Sequence, residues 1–147
     1  MLVGAGSVQM MIANLIILAV LPAAGEEMIF RGVIQRLLGR ILRRGDMAVW
    51  LAAFIFSALH FQFYGFIPRF ILGLVFGYLF YWTENLWLPV TAHFINNSVT
   101  VISSWTEGWE EINEQSRMLA EHAFFLPLAA AGISLLLLFY FRNKRTG

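Results

Sequence analysis

The chain has 147 residues, of which 59% are hydrophobic and only 13% are charged. Soluble domains carry about 25% charged residues, so this composition favours a protein whose main solvent is lipid. The net charge of +1 argues against nucleic acid as a partner, and the absence of cysteine excludes disulfides, thiolate metal sites and cysteine nucleophiles. The length suits one domain of several membrane helices, which we expect to cover residues 1–147.

Charge-poor segments divide the chain into predicted membrane spans. A spanning helix needs about 20 mostly apolar residues. Five runs approach this length and composition, at 8–24, 47–64, 67–82, 87–104 and 123–141. A sixth helical stretch from Glu26 to about Leu42 mixes apolar and charged residues, and Pro22 and Gly25 indicate a break before it. Strand alternation is absent, so the predicted fold class is all-α, a polytopic transmembrane helical bundle of about five to six membrane helices.

The basic residues predict how the chain is oriented. They form two clusters, one before the second span and one after the last: Arg36, Arg40, Arg43, Arg44, Arg142, Lys144 and Arg145. Residues 105–122 form an acidic loop between the last two spans. Because basic residues favour the cytoplasmic side, we expect the turn after Arg40 and the C-terminal tail to be cytoplasmic and the acidic loop to be outside.

Three charged residues stand at the start of the sixth stretch. Glu27 and Arg31 are spaced i,i+4 with the acid first, so they face each other and predict a structural ion pair. Glu26 lies about 100° around the helix from Glu27. Its i+3 and i+4 neighbours are Ile29 and Phe30, so no basic side chain pairs with it locally. Glu26 is then free to act as a general base, unless it is simply an interfacial acid stabilised by the helix dipole.

Two later spans carry polar residues that crossing a bilayer does not require. His60 follows Phe56 at i,i+4 in "FSALH", and His93 and Asn97 share one helix face in "HFINN". A lone membrane histidine is more often an interhelical hydrogen bonder, and a buried asparagine usually joins helices. Counting 1.5 Å per residue from the cytoplasmic helix ends places Glu26 and His60 about 20 Å deep and His93 about 10 Å deep. With helix tilt, these depths are compatible with one intramembrane cluster.

The three segments match ordered motifs, with "EEMIFR" as E-E-x-x-x-R, "FSALH" as F-x-x-x-H and "HFINN" as H-x-x-x-N. The chain therefore resembles the CPBP family of intramembrane proteases, also called CAAX-prenyl protease 2-like or Abi proteins, over about residues 22–98. The resemblance implies a polytopic helical endopeptidase in a bacterial or archaeal cell membrane. Only one span precedes the first motif, fewer than the family leads us to expect, which favours an N-terminally shortened protease domain.

The resemblance also implies roles for individual residues. The expected catalytic residues are Glu26, which would activate water, His60 as its partner, and His93 and Asn97 as the oxyanion-stabilising pair. The expected supporting residues are Glu27, Arg31 and Phe56. Asn96, at i+3 from His93, is an alternative to Asn97. A zinc site of Glu26, His60 and His93 is a second possible arrangement. The chain lacks H-E-x-x-H, so we favour water activation without a catalytic metal.

The favoured function is hydrolysis of a peptide bond in a membrane-associated or prenylated CAAX-type protein or peptide. The expected partners are the lipid bilayer and that substrate. A proton-coupled membrane transporter would also place Glu, Arg and His in membrane helices, although the repeated halves typical of transporters are not visible. A non-catalytic bacteriocin-immunity membrane protein is the other alternative, because it could keep the motif helices for packing.

Overall fold

The computed structural model of the chain describes residues 8–61 and 63–106. Every regular element in this part is helical, which confirms the predicted all-α class there. The helices are Val8–Leu42 (α1), Gly45–Ala58 (α2), Phe66–Thr83 (α3) and Trp87–Thr106 (α4). The predicted span at 123–141, the basic tail and nearly all of the acidic loop lie outside the described residues.

The predicted break at Pro22 and Gly25 is wrong. α1 continues through both residues and joins the first predicted span to the motif stretch in one helix of 35 residues. Proline normally interrupts a helix because it lacks an N–H and its ring meets the carbonyl four residues back. Here it lies two residues after a π-helical segment, Leu15–Val20, and such local widening lets membrane helices accommodate proline. A second π-helical segment, Met28–Gln35, begins directly after Glu27.

Three residues with left-handed backbone end the first three helices. They are Arg43 (φ 52°) after α1, Phe61 (φ 52°) after α2 and Glu84 (φ 53°) after α3. A residue in this conformation turns the chain away while its N–H still bonds to the last helical turn. α2 therefore ends at Ala58, and the prediction that its span continues to residue 64 is wrong. His60 lies in the turn that follows α2.

Small residues let α2 and α3 approach closely. A Cβ at Gly73 of α3 would lie 3.1 Å from the Cβ of Ala53 and 3.2 Å from its Cα. A Cβ at Gly77 would lie 2.8 Å from Cγ1 of the fully buried Val49. Close packing through small residues is typical of membrane helix pairs, where it gains van der Waals contact.

Two buried polar side chains join α1 to α3. Arg31 Nη2 donates to the carbonyl oxygen of Gly73, and Gln35 Nε2 donates to that of Gly77, both at 3.0 Å. The donors are one helical turn apart on α1, and the acceptors are one turn apart on α3. The two hydrogen bonds together therefore set the register of α1 against α3.

We expect Gly77→Ala to lower the free energy of unfolding by about 1–3 kcal/mol, because the new methyl group overpacks the contact with Val49. The matched control is Gly32→Ala, whose Cβ would meet only Leu86 Cδ2, at 3.9 Å. That change should be neutral or stabilising by up to about 1 kcal/mol, since alanine is the better helix former. Denaturant titration in detergent micelles measures both. Equal stabilities of the two variants would contradict the close α2–α3 contact.

Two of the described helices, α1 and α3, are long and apolar enough to cross a membrane, and α2 is a shorter apolar helix. α1 exposes a series of large apolar side chains, as lipid contact would require: Ile12, Ile16, Ile17, Leu21, Met28, Ile29 and Val33. The number of five to six membrane helices stays a prediction.

Candidate active site

Glu26 meets two histidines from distant parts of the chain. Glu26 lies in the middle of α1, His60 in the turn after α2 and His93 in α4. The Oε2 atom of Glu26 is 4.0 Å from His60 Nε2 and 3.9 Å from His93 Nε2. Direct hydrogen bonds span about 2.6–3.2 Å, so these separations leave room for a bridging water. The side chains of Glu26 and His60 are 30% and 33% exposed, so water can reach this pair.

His60 is oriented by the last turn of α2. Its Nδ1 lies 2.8 Å from the carbonyl oxygen of Phe56. A carbonyl oxygen can only accept, so Nδ1 carries the hydrogen and the neutral ring presents a lone pair on Nε2 to Glu26. The turn itself is braced by Ser57, whose hydroxyl donates to the carbonyl oxygen of Phe66 at 2.6 Å and so joins the end of α2 to the start of α3.

His93 is oriented by the ion pair that the i,i+4 spacing predicts. Glu27 Oε1 accepts from Arg31 Nη1 at 2.8 Å and lies 2.8 Å from His93 Nδ1. A carboxylate paired with arginine is an acceptor, so Nδ1 of His93 is the donor in this contact. Because Nδ1 carries a hydrogen, Nε2 carries none as long as the ring is neutral. Nε2 of His93 therefore faces Glu26 as an acceptor in the neutral ring and as a donor only in the imidazolium.

His93 lies closer to Glu26 than the difference between their counted depths suggests. Counting residues placed it at about half the depth of Glu26, whereas the two side chains approach to 3.9 Å. The count assumes straight helices that begin at one level. α1 has 35 residues and contains two π-helical segments, while α2 has only 14 residues. Residue counts along such unequal helices do not measure a common depth.

Two phenylalanine rings enclose the buried end of the site. The guanidinium carbon of Arg31 lies 5.0 Å from the ring centroid of Phe56 and 5.6 Å from that of Phe76. Phe76 stacks on His93 at 5.0 Å, and Phe56 meets the edge of His60 at 4.9 Å. A guanidinium over a ring face is stabilised by the ring quadrupole. The rings therefore shield the Arg31 charge and restrict both imidazoles.

Sequence reasoning selected Phe56 but missed Phe76 and Gly73. Phe76 is one of 14 phenylalanines and belongs to an uncharged stretch, so nothing local distinguishes it. Gly73 was detectable in principle, because Gly73 and Gly77 form the small-xxx-small spacing that marks close helix contacts in membranes. The carbonyl oxygen that Gly73 offers to Arg31 is a feature of the packed bundle alone.

Asn97 lies one helical turn beyond His93 on α4 and is half-buried. Its side-chain oxygen accepts from Asn96 Nδ2 at 3.4 Å. Among the described residues, no hydrogen bond or ion pair joins Asn97 to Glu26, His60 or His93. The structure thus brings three of the four predicted catalytic side chains together and leaves Asn97 one turn away.

The donor types at this site are those that zinc prefers, namely two imidazole nitrogens and a carboxylate. Tetrahedral zinc with ligand distances of about 2.0–2.2 Å holds its ligand atoms about 3.4 Å apart, whereas Glu26 lies 3.9 and 4.0 Å from the two histidines. Across the described ranges, no group of three or more His, Cys, Asp or Glu side chains could hold a metal ion. The zinc set of Glu26, His60 and His93 therefore does not fit this arrangement.

The family model described as "Type II CAAX prenyl endopeptidase Rce1-like" matches residues 8–99, more than half of the chain. The chain belongs to the Rce1-like family. Members of this family are integral membrane proteins, which agrees with the apolar helices α1 and α3. The matched Rce1-like segment contains every residue of the site described above.

The chain is also similar to a protein of a bacterium. The chain is 39% identical over 92 residues to "Uncharacterized protein YpbD" of Bacillus subtilis (strain 168). The aligned part covers 60% of this Rce1-like chain and 44% of that protein, so the chain matches less than half of the relative's length. No solved structure matches the chain significantly.

Proposed function

We propose that this Rce1-like chain is an intramembrane endopeptidase that hydrolyses a peptide bond in a membrane-associated protein or peptide, with prenylated CAAX-type proteins as the favoured substrates. The observation that carries the proposal is the approach of two imidazole Nε2 atoms to one carboxylate oxygen of Glu26. Both histidines are protonated on Nδ1, so both Nε2 atoms are available for chemistry.

In the proposed reaction, a water molecule lies between Glu26 and His60. Glu26 Oε2 accepts one of its hydrogens, and His60 Nε2 accepts the other, which aims an oxygen lone pair at the scissile carbonyl carbon. As the new carbon–oxygen bond forms, the proton passes to Glu26. Glu26 then delivers that proton to the amide nitrogen as the carbon–nitrogen bond breaks.

Two groups on α4 are suited to stabilise the oxyanion of the tetrahedral intermediate. The Asn97 side-chain amide can donate in every protonation state. His93 can donate from Nε2 only as the imidazolium, because its Nδ1–H is engaged by Glu27. Glu27 would stabilise that imidazolium, and this gives the buried carboxylate a role beyond its ion pair with Arg31.

To test the proposal, the full chain in proteoliposomes is incubated with a prenylated peptide that ends in a CAAX sequence. The same peptide without the prenyl group is assayed in parallel. We expect release of the C-terminal tripeptide, detected by mass spectrometry, and faster release from the prenylated form. His60→Ala should lower the rate by about 10²–10⁴-fold, the usual contribution of a positioned acid–base group.

Failure of folded protein to cleave either peptide would argue against proteolysis and favour the immunity or transport alternative. Equal cleavage of the two peptides would retain the endopeptidase activity but remove the prenyl group from its recognition. An unchanged rate in His60→Ala would show that the reaction does not use this site.

We expect cleavage to survive removal of metal ions, because the separations around Glu26 are too wide for a shared zinc ion. The measurement is the rate after treatment with a chelator and gel filtration, together with elemental analysis of the protein. A rate that falls with the chelator and returns with zinc would contradict this expectation and would favour the alternative zinc arrangement of Glu26, His60 and His93.

A further inference from the structure

A cavity of about 400 Å³ lies at the end of the bundle where α1 ends, α2 begins and α3 ends. Its volume is in the range of about 300–1,000 Å³ that small-molecule sites occupy. The lining residues that bear on its chemistry are Gln35, Arg36, Gly39, Gly45, Tyr81 and Glu84. Glu26, His60 and His93 do not line this cavity, and Gln35 follows Glu26 by nine residues, so the cavity is separate from the site at Glu26.

Gln35 forms part of the inner wall of the cavity. The residue is 5% exposed, and its Nε2 donates to the carbonyl oxygen of Gly77. Its Oε1 is buried and has no hydrogen-bond partner in the described part of the chain. A buried polar atom without a partner costs free energy. This oxygen lies at the contact with α3, 3.1 Å from where a Cβ at Gly77 would be, and it is closed off from the cavity.

The rim of the cavity carries one charge of each sign. The guanidinium carbon of Arg36 lies 5.0 Å from the ring centroid of Phe80, so the side chain is held against the cavity wall. Glu84 adds a carboxylate from the residue that ends α3. No ion pair joins Arg36 to Glu84 within the described ranges. Both charges are therefore available to a ligand that carries an anion and a cation.

We propose that this cavity binds the phosphoethanolamine headgroup of a zwitterionic phospholipid, with its phosphate on Arg36 and its ammonium group towards Glu84. The place of the cavity in the fold supports a lipid source, because Arg40, Arg43 and Arg44 surround the same end of the bundle. Such basic clusters lie at the headgroup level of a membrane, where cavities between helices take up lipid headgroups. Gln35 holds this wall of the cavity against α3 through its bond to Gly77.

The test is native mass spectrometry of the full chain in detergent, titrated with phosphatidylethanolamine, phosphatidylcholine and phosphatidylglycerol of identical acyl chains. The trimethylated headgroup of phosphatidylcholine has no N–H donor, and phosphatidylglycerol has no cation. We expect phosphatidylethanolamine to bind about tenfold more tightly than either, because only it makes both charge-assisted contacts. Soluble O-phosphoethanolamine should displace it, which separates headgroup recognition from binding of the acyl chains.

Variants assign the contacts. Arg36→Gln and Glu84→Gln should each weaken binding of phosphatidylethanolamine by about tenfold through loss of one charge-assisted bond. Arg40→Gln makes the same charge change on the same helix end but does not line the cavity, so binding should stay within about twofold. Gly39→Leu should block binding without changing the charge, because the leucine side chain would fill the cavity that Gly39 lines. The helix should tolerate it, since a Cβ at Gly39 meets only the Cβ of Ala48, at 3.9 Å.

Equal affinity for phosphatidylcholine, no displacement by O-phosphoethanolamine, or an equal loss in Arg40→Gln would overturn the proposal. In those cases the cavity holds water or the basic end attracts phospholipid without a defined site. Thermal unfolding of each variant in the same detergent identifies any that fails to fold, and the remaining variants then decide the outcome.

Discussion

Glu26→Gln is expected to lower the rate of peptide hydrolysis by about 10²–10⁴-fold while the protein remains folded, because glutamine cannot accept a proton from the attacking water. The substitution keeps the shape of the side chain and its half-exposed position beside His60. Within the described ranges, Glu26 also makes no short hydrogen bond that holds the helices together, unlike Glu27. The Glu26→Gln substitution should therefore lower the rate of peptide hydrolysis and leave the temperature of unfolding unchanged.

The measurement is single-turnover cleavage in proteoliposomes, with thermal unfolding of the same preparation as the check on folding. Asp46→Asn is the matched control, since it also converts an exposed acid to its amide, at the start of α2 and outside the site. That control should retain the wild-type rate. A folded Glu26→Gln protein with an undiminished rate would exclude Glu26 as the base.

Arg31→Met is expected to lower the free energy of unfolding by about 3–5 kcal/mol, the usual consequence of removing one partner of a buried ion pair. The methionine would leave the Glu27 carboxylate buried without its cation and would release the carbonyl oxygen of Gly73. Both Arg31 and Glu27 are almost fully buried, at 1% and 0% exposure. Water therefore cannot hydrogen-bond to the groups that Arg31 leaves without a partner.

The double variant Glu27→Leu/Arg31→Met should recover most of the lost stability, because apolar replacement of a complete buried pair is often neutral. It should not recover cleavage, since His93 would lose the acceptor that orients its ring. Denaturation in mixed micelles measures stability, and Arg40→Met, an exposed arginine of the same helix, should stay within about 0.5 kcal/mol of the wild type. Equal stability of Arg31→Met and Arg40→Met would contradict a buried ion pair.

The motif residues could be selected before the structure because their spacings are local. Glu27 and Arg31 face each other at i,i+4 in a helix whatever surrounds them, and the structure contains their ion pair. The same periodicity placed His93 and Asn97 on one face of α4. Charged and polar residues are also conspicuous in an apolar chain, so the candidate site could be recognised from composition and order alone.

Other features depended on contacts that no local pattern encodes. The helix through Pro22 requires a π-helical segment, and the position of His60 requires α2 to end at Ala58 instead of continuing. The pairing of Glu27 with His93 joins residues 66 positions apart. Phe76 and Gln35 had no signal of their own, because each acquires its role from the helix packed against it.

The amino-acid sequence by itself determined the all-α class and the membrane character, because hydropathy and helical periodicity act over short ranges, and its three ordered motifs selected the candidate site residues. Only the tertiary structure decided that Glu26, His60 and His93 converge, which nitrogen of each imidazole faces the carboxylate, and that a cavity lies beside Gln35. Those properties arise from how closely the glycines of α3 let the neighbouring helices approach and from where each helix ends.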